Sequence, residues 1–156
     1  MTVIPQRKSP RLRQFDYSSR NYYFITICTK DKECLFGTPT ALSAHGLTAR
    51  EILETVPAHH PGAVVEQFVV MPNHIHFILS LGGEGASLST VVGGYKSAVT
   101  RKIRETAPGL VVWQPSFHDH VIRNQADFER IWEYIYTNPA RWMKDCFYVP
   151  EAEIKP

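Results

Sequence analysis

The stretch 63–81, AVVEQFVVM followed by Pro72–Asn73 and HIHFILSL, constrains the fold of this chain more than any other. Two runs rich in β-branched and aromatic residues meet at a proline–asparagine pair, which predicts two antiparallel strands joined by a sharp turn. Side chains alternate along a strand, so His74 and His76 share one sheet face while Ile75 and Phe77 face the other. The apolar side predicts a core; the histidine side is otherwise free. With a rise of about 3.3 Å per residue the two Cα atoms stand about 7 Å apart, close enough for both imidazoles to meet one metal ion. Alone, the pair describes an ordinary sheet face with two solvated histidines equally well.

The remaining segments extend this hairpin into a sheet. NYYFITICT (21–29) predicts a first strand and SFHDHVIR (116–123) a fourth. Helical spacing appears in 47–58, ending at Pro57, in 87–107, and in 125–142, where Pro139 should end or kink the helix. The order is β-α-β-β-α-β plus a C-terminal helix. That is the ferredoxin-like pattern of the α+β class, an antiparallel sheet with helices on one face. At 156 residues, 44% of them hydrophobic and 21% charged, the chain forms one domain with a real core.

Net charge is only +2, so its distribution says more than its sum. Arg7, Lys8, Arg11, Arg13 and Arg20 crowd the first twenty residues against Asp16 alone, and Lys96, Arg101, Lys102 and Arg104 form a second cluster. Both suit a polyanion, though each also reads as a solvated arm or helix face. The odd cysteine count (Cys28, Cys34, Cys146) and the lack of CxxC spacing argue against a disulfide framework or a structural zinc site. No apolar run approaches about 18 residues and no signal segment follows the basic N-terminus. A cytoplasmic protein without membrane association is expected.

On the last helix, Phe128, Ile131, Trp132 and Ile135 form an apolar stripe. Tyr134 and Asn138, four apart, lie on one flank of it with Arg130 and Arg141, whereas Tyr136 lies on the other. Most helix tyrosines simply sit at a core boundary. His118 and His120 form a second strand His-x-His, a candidate accessory ligand, DNA contact or proton shuttle, or plain filler on a polar face. Asp119 points the opposite way.

VVMPNHIHFIL (69–79), WQPSFHDHVIRNQADFERIWEYIYTNPARW (113–142) and FDYSSRNYYFITICTKDKECLFG (15–37) together resemble the single-tyrosine HUH transposases, in the branch of REP-associated tyrosine transposases. The resemblance spans nearly the whole chain. It implies a catalytic domain at 21–145 between a basic arm (1–20) and a tail (146–156). It further implies His74 and His76 as metal ligands, Tyr134 as nucleophile, and Asn138 in the place where relatives carry a third polar ligand, often Gln. Mg²⁺ or Mn²⁺ would be the cofactor, and hairpin-bearing single-stranded DNA the partner, with the basic arm, Lys96, Arg101, Lys102, Arg130 and Arg141 as DNA contacts. A monomer and a homodimer are both compatible with it.

The chemistry fits those groups. A metal neutralises the phosphodiester oxygens that repel nucleophiles. A phenol of pKa near about 10 needs activation, and a 5′-phosphotyrosine link stores the energy needed for resealing. Two other readings stand beside this one. The first is a non-catalytic single-strand-binding module in which Tyr22, Tyr23 and Phe24 stack bases. The second is a zinc hydrolase using His74, His76 and one of His118 or His120, with water as nucleophile.

Overall fold

Apolar alternation becomes a two-sided sheet in the computed structural model, which describes residues 20–82 and 85–144. Strand β1 (Arg20–Cys28) leads through a 3-10 turn (Lys30–Lys32) to helix α1 (Ala44–Glu54) and the short α2 (Val56–His59). Strands β2 (Ala63–Met71) and β3 (His74–Gly82) follow, then α3 (Leu88–Arg104), β4 (His118–Ile122), α4 (Gln125–Thr137) and a 3-10 segment (Pro139–Lys144). The four strands lie in the order β2-β3-β1-β4 with every neighbour antiparallel. The expected ferredoxin-like order is therefore present. The expected tail (146–156) and the arm, apart from Arg20, lie outside the described residues.

Each face of the sheet has its own apolar layer. Ile25, Ile27, Ile75, Phe77 and Leu79 pack against α1 and α3 through Ala49, Leu53, Val92, Val99 and Ile103. Tyr95, wholly inside this layer, donates its hydroxyl proton to the Ala49 carbonyl at 2.8 Å and so ties α3 to α1. On the opposite face Ile78 and Ile122 meet Phe128, Ile131, Trp132 and Ile135 of α4. The first two long helices thus cover one side, and the appended α4 covers the side that carries the histidines.

Two boundaries differ from the sequence expectation. α1 starts at Ala44, because the Ser43 hydroxyl caps it by accepting from the Gly46 amide at 3.1 Å. Gly46 falls inside α1, where a Cβ would stand 2.4 Å from the Phe36 carbonyl oxygen, so close packing demands glycine. Pro57 falls in the first turn of α2, a tolerated site for a residue without an N–H, instead of closing α1.

Candidate metal and nucleophile site

Strand register sets the site's floor. His74 faces Cys28 on β1 and Met71 on β2; His76 faces Thr26 and Val69. Residues opposite one another in an antiparallel pair share a face. The two imidazoles are buried, with ring centroids 4.6 Å apart and planes at 73°. Expected as free or solvated, this face is instead roofed by α4.

Each ring is held by its Nδ1 atom. His74 Nδ1 donates to the Asn73 side-chain oxygen at 2.8 Å, which leaves the Nε2 lone pair as the ligating one. A 2.8 Å hydrogen bond joins His76 Nδ1 to the Thr26 hydroxyl. Asn73 is itself fixed: its amide nitrogen donates to the Lys32 carbonyl, and its own carbonyl accepts from the Thr29 amide and hydroxyl. Such outer partners set ring orientation and tautomer at histidine metal sites.

Helix α4 brings the other groups. Asn124 caps it by accepting from the Asp127 amide at 2.8 Å, and the buried stripe seats it on the sheet. Tyr134, half-buried, lies with its ring 5.3 Å from that of His76 and 6.0 Å from that of Phe24. Phe24 also flanks His76 at 5.2 Å. The helix stops at Asn138 because Pro139 has no N–H, and the chain tightens into the 3-10 segment, with the Arg141 amide donating to the Asn138 carbonyl at 3.0 Å. Trp142, buried, places its ring 6.2 Å from that of His74, tilted by 30°.

Asn138 sits in the chain midway between those two aromatic contacts. It is buried, and its Oδ1 has no hydrogen-bond partner among the described residues. A buried acceptor left so costs about 1–3 kcal/mol unless something takes its lone pairs. Imidazole nitrogens and an amide oxygen are donors of the kind that suits a divalent cation.

Other expected groups lie elsewhere. His118 and His120 stand on β4 opposite Thr26 and Phe24, on the histidine face but exposed and separated from β3 by β1. No cluster of three His, Cys, Asp or Glu side chains among the described residues is placed to hold a metal. His120 Nε2 meets the Asp127 carboxylate at 2.8 Å, and Arg130 binds the other carboxylate oxygen. Burial raises the Asp127 carboxyl, but the hydrogen bonds and charges of His120 and Arg130 outweigh it and hold the group below its usual range. Arg130 and Arg141 are exposed, one helical turn from Tyr134 and Asn138 respectively or nearly so.

Arg20 is tied to the sheet, donating to the Gly62 carbonyl at 3.0 Å and to the Ser80 hydroxyl at 2.8 Å. Arg7, Lys8, Arg11 and Arg13 fall outside the described residues. Lys96, Arg101 and Lys102 belong to α3, in the layer on the far side of the sheet. There Lys96 donates to the Gln114 and Ser116 carbonyls at 3.0 and 2.9 Å, and burial lowers its amine below the usual value. Lys102 pairs with Glu105.

The stacking platform weighed for Tyr22, Tyr23 and Phe24 does not form. Adjacent strand residues face opposite ways: Tyr23 joins the α1–α3 layer, while Tyr22 and Phe24 pack under α4. Sequence reasoning missed Thr26, Asn73 and Trp142 as parts of the site. Asn73 had a signal in its place beside His74, and Thr26 in its strand alternation; Trp142 had none beyond its spacing from Asn138.

Comparison with known proteins points to one family. The model of the IS200-like transposases matches residues 17–138. An uncharacterized protein of Haemophilus influenzae is 32% identical, with 94% of this chain and 95% of that one covered. The REP-associated tyrosine transposase of Escherichia coli K12 is 35% identical over 51% of this chain and 47% of its own length. Among solved structures, a REP-associated tyrosine transposase bound to a REP hairpin superposes with a TM-score of 0.60 at 25% identity, covering 85% of this chain and 73% of that one. With the family model spanning most of its length, and an α4 that lays a tyrosine over a His-x-His strand, the chain belongs to the IS200-like transposases, in the branch of REP-associated tyrosine transposases.

Proposed function

We propose that this transposase cuts and rejoins single-stranded DNA through a 5′-phosphotyrosine intermediate formed on Tyr134. The observation that carries the reading is the contact of the Tyr134 ring with His76, 5.3 Å between centroids, beside a buried histidine pair. His74, His76 and Asn138 would hold the metal, Mg²⁺ or Mn²⁺, which supplies charge neutralisation at the nonbridging phosphate oxygens.

Tyr134 Oη attacks the phosphorus. The new bond is Tyr–O–P; the bond broken is P–O3′, and the released 3′-oxygen takes up a proton while the phenol loses its own to solvent. Resealing reverses the roles: a 3′-hydroxyl attacks, the Tyr–O–P bond breaks and the phenol is regenerated. Phosphodiester count is conserved, so no external energy source is needed. Packing against Phe24 and His76 restricts the phenol to one region of the sheet face, which serves attack by orientation.

In this reading residues 21–145 are the catalytic domain. The substrate is a hairpin-bearing repeat, as for the relative solved with a REP hairpin. The arm 1–20 contacts the hairpin backbone, and Arg130 and Arg141 the strand near Tyr134. DNA as substrate places the protein in the cytoplasm; no described helix is long and apolar enough to cross a membrane.

Labelled hairpin-bearing single strands, incubated with protein and Mg²⁺ or Mn²⁺ and run on a denaturing gel, test the proposal. A metal-dependent protein–DNA band that disappears in Tyr134→Phe and persists in Tyr136→Phe is expected. Cleavage without a covalent band would point to water as nucleophile and sink it.

A further inference from the structure

Helix α4 is anchored along its length by Phe128, Ile131, Trp132 and Ile135, but all four lie on the N-terminal side of Asn138. The last backbone groups of a helix lack intrahelical partners and fray. Pro139 removes another donor at that point, and 3-10 geometry makes poorer hydrogen bonds than an α-helix. A ligand at the C-cap of such a helix needs support from beyond it.

That support is on the page. Tyr134, Asn138 and Trp142 recur every four residues, and the outer two rings rest on the two histidines, Tyr134 on His76 and Trp142 on His74. Asn138, buried between them in the chain, is held from both ends. Trp142 is also buried, at the far end of this ridge.

We propose that Trp142 is a positioning residue for the metal: its indole clamps the 3-10 segment onto His74 and so keeps the Asn138 amide oxygen at the histidine pair. The inference rests on the metal reading above. It assigns the segment after the proline a task in the site, where sequence reading sees only a helix end.

Manganese binding to the DNA-free protein, followed by electron paramagnetic resonance, tests it without reference to activity. Trp142→Ala should weaken Mn²⁺ binding by about 10- to 100-fold, as loss of an outer partner does at other metal sites, and Trp142→Phe should restore most of it. Trp113→Ala serves as the control, since Trp113 is buried in the other layer against Phe36 and Tyr95 and reports the cost of a lost core tryptophan. It should lower the melting temperature by a similar amount and leave Mn²⁺ affinity near wild type. Quenching of tryptophan fluorescence by bound Co²⁺ should fall in Trp142→Phe to the share that comes from Trp132 on α4, since Trp113 lies in the other layer. Wild-type Mn²⁺ affinity in Trp142→Ala, with binding lost in His74→Ala, would overturn the clamp alone. Equal binding by wild type and His74→Ala would overturn the metal reading and the clamp with it.

Discussion

Tyr134 rests on His76 from a different element, ring planes crossing at 66°, although 58 positions separate them in the chain. A strand and a helix therefore share one site within a single chain. The two rings are in direct contact. Tyr134→Phe should accordingly keep the packing on Phe24 and His76 and change stability by less than about 1 kcal/mol. Covalent adduct formation should vanish, while Mn²⁺ binding stays. Urea denaturation together with the gel assay reads both, and an adduct persisting in the variant would remove Tyr134 as nucleophile.

The two outer hydrogen bonds make separate predictions. Thr26→Val is nearly isosteric and deletes only the hydroxyl bonded to His76 Nδ1. Asn73→Ala deletes the acceptor of His74 Nδ1. Each should weaken metal binding by about 10- to 100-fold. Each should also cost about 1–3 kcal/mol of stability, since each takes a hydrogen-bond partner from a buried imidazole. Calorimetric titration with Mn²⁺ against urea midpoints separates the two, and unchanged affinity in both would show that the rings orient themselves.

Acid stability should carry the mark of Asp127. Its carboxyl is held low because the hydrogen bonds and charges of His120 and Arg130 outweigh burial. A carboxyl lower in the folded than in the unfolded state adds stability that is complete above its unfolded value, near about 4, and is lost as pH falls through the folded value. Asp127→Asn should thus flatten the acid limb below about pH 4. At neutral pH it should cost no more than about 1 kcal/mol, the range of an exposed pair. An acid limb unaltered by the substitution would show that the pair does not hold the carboxyl.

Much of this arrangement is legible in local rules. Period-two alternation places His74 and His76 together, and period-3.6 spacing gives the stripe on α4 that determines which of its sides meets the sheet. Pro139 marks the helix end through a missing N–H. What escapes local reading depends on pairing across the chain. Thr26 becomes a partner of His76 only once β1 and β3 take their register. The burial of Tyr22 and Phe24 follows from α4 folding back over β1, which strand composition cannot report. Trp142 lies beyond a helix breaker, where spacing rules lose their force, yet the 3-10 turn carries the ridge onward.

If α4 positions the nucleophile, loosening its seat should cost function before the fold is lost. Ile131 is buried in the cluster with Ile78 and Ile122, one turn before Ile135. Ile131→Ala removes buried methylenes and should destabilise by about 2–5 kcal/mol. The α1–α3 layer packs on the other face and should keep the sheet assembled. Hydrogen exchange should therefore accelerate in α4 more than in α3, and adduct formation should fall at temperatures where circular dichroism still reports a folded sheet. Excess metal should not restore the adduct, because His74 and His76 stay on β3 while Tyr134 drifts from them. Uniform acceleration of exchange across both layers would mean that α4 and the sheet unfold as one unit, and that positioning cannot be separated from stability.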